Sequence, residues 1–181
     1  MAYKNEKNYL TKNLKSDEWY TPIEVVNYIK TIVDRNKKII CPYDTEKSEF
    51  VKAFPNSIHN IRDFLEKDYK YDICITNPPF SLGEQVTRKI LSQGKDCIRI
   101  IPATAIFSVN FYKFIEEYKF NYKIYSPDKR IYFIDENGNQ NRPNFHSIIL
   151  HISKDFTKNE IIHFKLKDYE EVKDEKMGIW S

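Results

Sequence analysis

Apolar residues at Ile23, Val26, Ile29 and Val33 recur at every third or fourth position, the spacing of a helix that buries one face. Ahead of them, Thr21-Pro22-Ile23-Glu24 offers an N-cap hydroxyl, a proline at the first helical position and a glutamate placed to close a capping box. The pattern predicts an amphipathic helix starting at Thr21. Lys38-Ile39-Ile40-Cys41 is a short apolar run stopped by Pro42, and Ser48 to Phe54 sets Phe50, Val51 and Phe54 on the inner side of a short helix. Ser57 to Ile61 is a candidate second strand, followed by a loop at Arg62-Asp63-Phe64. Tyr71 to Asn77 is the continuous β-branched run expected of a strand covered on both faces.

Ser81-Leu82-Gly83-Glu84 repeats the capping-box pattern, and Leu82, Val86 and Ile90 stripe a helix running to about Ser92. Cys97 to Ile101 reads as a buried strand, Phe111 to Tyr118 as a helix and Tyr122 to Tyr125 as extended chain. Arg130 to Ile134 and Ser147 to Ile152 look like two strands. The turn residues Asp135-Glu136-Asn137-Gly138-Asn139 between them predict a long hairpin. After Phe156, Ile161, Ile162, Phe164 and Leu166 alternate with charges, which suggests one edge strand and then a mixed-charge end. Residues 1–16 are polar and aperiodic, a flexible leader before a single domain over 17–181. Strands alternating with helices and closing on a hairpin define an α/β class: a Rossmann-like, doubly wound, mostly parallel sheet with a C-terminal antiparallel hairpin, whose ligands bind at the strands' carboxyl ends.

Composition narrows the picture. A chain of 181 residues is long enough to bury about two-thirds of its unfolded surface without covalent staples. Its 4 glycines are too few for a glycine-rich loop protein. Net charge is +3, with lysines grouped at Lys4, Lys7, Lys12 and Lys15 and cations again at Arg35, Lys37 and Lys38. Such groups suit either a solvated basic surface or contact with phosphates. Cys41, Cys74 and Cys97 lie in apolar stretches with no CxxC spacing, so they read as reduced core residues and not as disulfides or metal ligands. No apolar run approaches the roughly 18 residues of a membrane span, and a soluble cytoplasmic protein is expected.

The strand at Tyr71 stops on Asn77-Pro78-Pro79-Phe80. The exocyclic amino group of adenine is nearly planar because its lone pair is delocalised into the ring, so it attacks a methyl sulfonium slowly. An Asn side-chain carbonyl and the next backbone carbonyl can each accept one amino hydrogen, which favours a pyramidal nitrogen and aims its lone pair at the methyl carbon. Asn77 would supply the first acceptor and Pro78 the second. Pro79 stiffens the backbone that sets their angle, and Phe80 would stack on the base. The methylated amine loses its proton to water, so no strong general base is needed. A base in a duplex must leave the stack to reach such a corner. A plainer alternative is that Asn-Pro opens a turn and Pro-Pro continues it as extended chain.

With Asp17-Glu18-Trp19-Tyr20-Thr21-Pro22 ahead, Cys41-Pro42-Tyr43-Asp44 followed by Ser48 and Phe50, and Asn77 to Leu82 after, the chain resembles adenine-specific (N6) DNA methyltransferases of the small phage type and the EcoRI methylase group. The resemblance runs from about Asp17 to Ser153, in an order like that of the gamma-class amino methyltransferases. It implies a class I methyltransferase fold and S-adenosyl-L-methionine as cofactor. Tyr20, Thr21 and Pro22 would lie along the methionine part. Pro42, Tyr43 and Asp44 would form the first turn, Asp44 meeting the cofactor's amino group. Asp63 and Phe64 would hold its adenine ring, with Asn77 also bordering the cofactor. Arg130 and Arg142-Pro143-Asn144-Phe145 match the later family region, where Arg130 and Arg142 would meet DNA and Phe145 would stack on the extruded base.

Each residue also has an ordinary use: Thr21 and Pro22 in helix capping, Asp44 in a turn, Asp63 in a loop, Arg130 and Arg142 as solvated charges. The first turn is Cys-Pro-Tyr-Asp where the wider superfamily has glycines, and Ser57 and His59 stand where an acidic residue often ends the second strand. Too little chain follows the motif for a separate target-recognition domain. Recognition would come from loops near Ser126 to Arg130 and Glu136 to Phe145, from the leader, from a second copy in a homodimer, or from a partner. Two other classes stay open: an RNA or protein-glutamine amino methyltransferase, and a non-catalytic nucleic-acid or cofactor-binding relic of the fold.

Overall fold

In the computed structural model, which describes residues 19–167, the apolar runs become strands β1 (Ile39–Cys41), β2 (Ile58–His59), β3 (Ile73–Thr76), β4 (Asp96–Pro102), β5 (Asn121–Pro127), β6 (Phe133–Ile134), β7 (Gln140–Asn141), β8 (Ser147–Ser153) and β9 (Glu160–Phe164). Helices α1 (Ile23–Ile32), α2 (Glu49–Ala53), α3 (Gly83–Ser92) and α4 (Val109–Tyr118) lie between them. The expected leader and mixed-charge end fall outside the described residues.

A 7-stranded sheet runs in the order β2-β1-β3-β4-β8-β5-β9, and β6 and β7 make a separate antiparallel ribbon. Within the large sheet only β8 runs against its neighbours. This is the doubly wound, mostly parallel architecture that the alternation of strands and helices implies. Every residue of β3 is buried, and its faces divide cleanly. Ile73 and Ile75 pack with Val25, Val26 and Ile29 of α1 and Phe50 of α2. Cys74 packs with Val86, Ile90 and Leu91 of α3 and Phe114 of α4. Each fully buried side chain of this size contributes about 1.5–3 kcal/mol, so the two layers are what the apolar stripes on the helices are for.

The chain steps from β1 outward to β2 and then back across to β3 on β1's other side. That reversal separates the loops leaving β1 and β3 and opens a crevice at their carboxyl ends, where α/β sheets bind ligands. Asn77 follows β3 directly.

Several local expectations are corrected. Helix α1 begins at Ile23 with Pro22 as its N-cap and no side-chain cap; the Thr21 hydroxyl is buried without a partner. Tyr20 is pinned in a backbone bridge to Ile134, with hydrogen bonds of 2.9 and 3.0 Å, and this holds the chain extended up to Pro22. The second expected capping box is also absent. Phe80–Leu82 forms a 3-10 turn closed by Leu82 N–H donating to the Pro79 carbonyl at 2.9 Å, so α3 starts at Gly83 with no side-chain cap. The cap at Ser48 does form, its Oγ accepting from Phe50 N–H at 3.2 Å.

The predicted long hairpin between Arg130–Ile134 and Ser147–Ile152 is re-paired. Phe133–Ile134 meets Gln140–Asn141, and β8 goes between β4 and β5. The reason is burial: all of β8 is buried, and a strand apolar on both faces belongs in the middle of a sheet, not in a ribbon.

Cys41, Cys74 and Cys97 are free and buried. Burial pushes their thiols up, that of Cys97 to about 12, which keeps them protonated. His151 in β8 is buried with neither ring nitrogen hydrogen-bonded. Burial draws its pKa down to about 4, with Asp96 opposing and Lys37 and Lys123 assisting. The unfolded chain therefore takes up a proton near pH 6.5 that the folded chain refuses, and stability drains as pH falls from about 6.5 toward 4. His151→Leu should erase about 2–3 kcal/mol of the stability difference between pH 7 and pH 4.5, read from denaturant unfolding of both proteins at both pH values.

Candidate active site

At the end of β3 the ladder must stop, because Pro78 and Pro79 have no N–H to donate. Pro78 is buried, while Asn77 and Pro79 are half-buried. Asn77 and Pro78 line an open cavity of about 250 Å³, walled by the start of α3 at Gly83, by Arg99 to Pro102 of β4 and by Phe111 and Phe114 of α4. The Asn77 amide makes no hydrogen bond among the described residues. Glu84 also lines the cavity but is paired with Arg88 at 3.2 Å. Phe80 is described through its backbone alone, so the stacking expected of its ring lies outside the described side chains.

Across the crevice, β1 ends in a turn closed by Asp44 N–H donating to the Cys41 carbonyl at 3.1 Å. Asn60 and Ile61, just after β2, donate their N–H groups to the carbonyls of Asp44 (2.9 Å) and Pro42 (2.6 Å). A proline and two cross-loop hydrogen bonds thus shape the turn that glycines shape elsewhere. Asp44 Oδ1 accepts from Ser48 Oγ at 2.6 Å, whereas Oδ2 is shielded from solvent and has no partner among the described residues. Burial lifts the carboxyl to about 6, with the Ser48 hydroxyl and His59 pulling it back.

The other expected cofactor residues lie in the loop after β2 and at the entry to α1. Asp63 is bound on both oxygens, by Tyr69 OH on one and Lys67 at 2.6 Å on the other, and these partners hold it below the usual carboxylate range. Phe64 is 0% exposed, with Tyr43 edge-on at 6.3 Å and Lys89 over its ring at 5.7 Å. Tyr20, Thr21 and Pro22 form the bridged entry to α1 described above.

Arg130 and Arg142 are exposed, Arg142 lying over Tyr132 at 5.9 Å, and Phe145 is half-buried. None of the three lines the cavity at Asn77. Arg99 was missed by the sequence pattern because it sits inside the run Cys97 to Ile101, where a single charge between isoleucines was the available signal. Its Nη1 donates to the Gly83 carbonyl at 2.7 Å and to Thr87 Oγ1 at 2.5 Å.

No family model matches the chain, and no curated protein matches it. Among solved structures, a proposed class I S-adenosylmethionine-dependent methyltransferase of Listeria monocytogenes aligns with a TM-score of 0.52 and 13% identity, over 95% of this chain and 75% of the other. The modification subunit of a proposed type I restriction enzyme from Vibrio vulnificus gives a TM-score of 0.49 at 14% identity, over 96% of this chain and 55% of that one. A proposed RNA methyltransferase of Pyrococcus horikoshii gives 0.48 at 17%, over 85% and 92%. At these identities the likeness is one of fold: the chain has the Rossmann-like architecture of class I methyltransferases.

Proposed function

We propose that this chain is an S-adenosyl-L-methionine-dependent enzyme that methylates the 6-amino group of adenine in DNA, in the cytoplasm. The observation that carries the proposal is Asn77, an amide without a hydrogen-bond partner among the described residues, lining a cavity at the sheet's carboxyl edge together with Pro78. Asn77 Oδ1 and the Pro78 carbonyl accept the two amino hydrogens. The nitrogen lone pair is thereby freed from the ring and held on one line of attack. Apolar walls keep water from competing for the same hydrogens.

The residues present fit the cofactor at one clear point. Asp44 Oδ2 is a buried acceptor with no donor among the described residues, the partner that an ammonium group requires. Tyr20, Thr21 and Pro22 lead into α1, and the Thr21 hydroxyl is likewise without a partner among the described residues. Asp63, kept ionised by Lys67 and Tyr69, retains lone pairs for an adenine amino group. Of the Tyr43–Phe64 pair, Tyr43 has the surface to offer a ring. When bound, the cofactor supplies a methyl group activated by its sulfonium.

The target base leaves the duplex at a cost of a few kcal/mol, which aromatic stacking, the role proposed for Phe80, offsets. Arg130 and Arg142 serve the phosphates, and recognition is shared with loops, a second copy or a partner. DNA digested from cells expressing the chain should contain N6-methyladenine by mass spectrometry. Labelled cofactor offered with DNA, RNA and protein should mark DNA. Label in RNA or protein, or none at all, would overturn the assignment.

A further inference from the structure

Arg99 carries a positive charge that the fold leaves unanswered. Among the described residues no carboxylate pairs with it. The groups that act on it electrostatically are the thiols of Cys97 and Cys74, which burial keeps neutral. Two of its five N–H groups are spent on the first turn of α3, at Gly83 O and Thr87 Oγ1. Nε is shielded from solvent without a partner among the described residues, and Nη2 lies against Gly83, 2.4 Å from where a Cβ would stand. Beside it in the parallel register stands Thr76, 1% exposed, whose hydroxyl is also unpartnered. An arginine of this kind is less stable than an apolar residue of the same volume unless something arrives to accept its hydrogens.

What arrives must enter the cavity that Arg99 shares with Asn77. Among its other walls, apolar Ile101, Phe111, Phe114 and Leu150 suit the faces of a flat ring, and acidic Glu84 beside them disfavours a phosphate. The residue after Thr76 is Asn77, so the guanidinium sits one strand over from the group that grips the reactive amine. We infer that Arg99 reads the target base, donating to the ring nitrogen that flanks the amino group held by Asn77. This rests on the proposed methylation of adenine and adds the residue that selects the ring.

The chemistry has a specific consequence. Adenine has acceptors on both sides of its 6-amino group, N1 and N7, and a base with an N–H in the contacted place would meet donor against donor. Oligonucleotides carrying adenine, 1-deazaadenine or 7-deazaadenine at the methylated position test this with wild-type protein, Arg99→Met and Arg99→Lys. For the wild type, one analogue should lose about tenfold to a hundredfold in kcat/KM, the range of a hydrogen bond from a charged donor. The same analogue should match adenine in Arg99→Met and lie between in Arg99→Lys, so that altered amine reactivity cancels in the comparison.

The inference is overturned if the wild type methylates both analogues at adenine's rate, or if the loss persists unchanged in Arg99→Met. Should Arg99→Met fail to fold, an unchanged loss in Arg99→Lys overturns it equally. No transfer by the wild type to any adenine oligonucleotide is a different failure, that of the adenine reading itself.

Discussion

Asn77→Ala is expected to lower kcat for methyl transfer by at least about a hundredfold to a thousandfold, the loss found when one preorganised hydrogen-bond partner is removed from a reacting centre. The variant should fold as the wild type does, because the half-buried amide makes no hydrogen bond among the described residues for its truncation to break. Under the proposed role the lost oxygen serves the amine and not the ammonium site at Asp44, so cofactor affinity should change little. Single-turnover methylation of DNA, calorimetric titration with the cofactor and a melting curve separate these claims. Turnover unchanged in Asn77→Ala would remove the assigned role, whatever the fold. Loss of cofactor binding in parallel with turnover would instead move Asn77 from the amine to the cofactor.

The sequence made the layers legible because their signal is local. A stripe at helical spacing over Ile23 to Val33 can bury itself in one way, and a run such as Ile73 to Thr76 needs cover on both faces. Pairing partners are not local. Ser147 to Ser153 follows a turn-rich segment and so looks like a hairpin's second arm, yet its uniform burial draws it to the sheet's centre, more than forty positions from its partner β4. Capping failed for a related reason: Thr21 and Ser81 have the right residue type, but the bridge at Tyr20 and the 3-10 turn at Phe80–Leu82 had already fixed the backbone. The corner at Asn77 was readable because Asn-Pro-Pro encodes its own geometry. Arg99 was not readable, because whether a charge inside an apolar strand is wasted or aimed depends on what the neighbouring helix leaves open.

Asp44 should make cofactor affinity depend on pH, and replacing it should move affinity and stability in opposite directions. Its carboxyl has a pKa of about 6 in the folded chain, lifted by burial from 3.8. Below pH 6 it is largely protonated and offers an ammonium little attraction. Above pH 6 it is ionised, so cofactor binding should tighten by up to about tenfold per unit from pH 5 and level off toward pH 7. Asp44→Asn should remove that slope and weaken binding at pH 7 by about tenfold to a hundredfold, the worth of a charge-assisted hydrogen bond. For stability the sign reverses: a carboxyl whose pKa is raised on folding loses the folded state stability as pH rises from about 4 to 6. Up to about 3 kcal/mol is given up by pH 7. Asn keeps the oxygen that accepts from Ser48 without carrying the buried charge, so Asp44→Asn should melt higher than the wild type at pH 7 and no higher at pH 4. A side chain retained for the fold's own sake would behave the other way, losing stability when replaced. The combination of weaker, pH-independent binding with a higher melting temperature would thus mark Asp44 as held in an unfavourable state for its ligand.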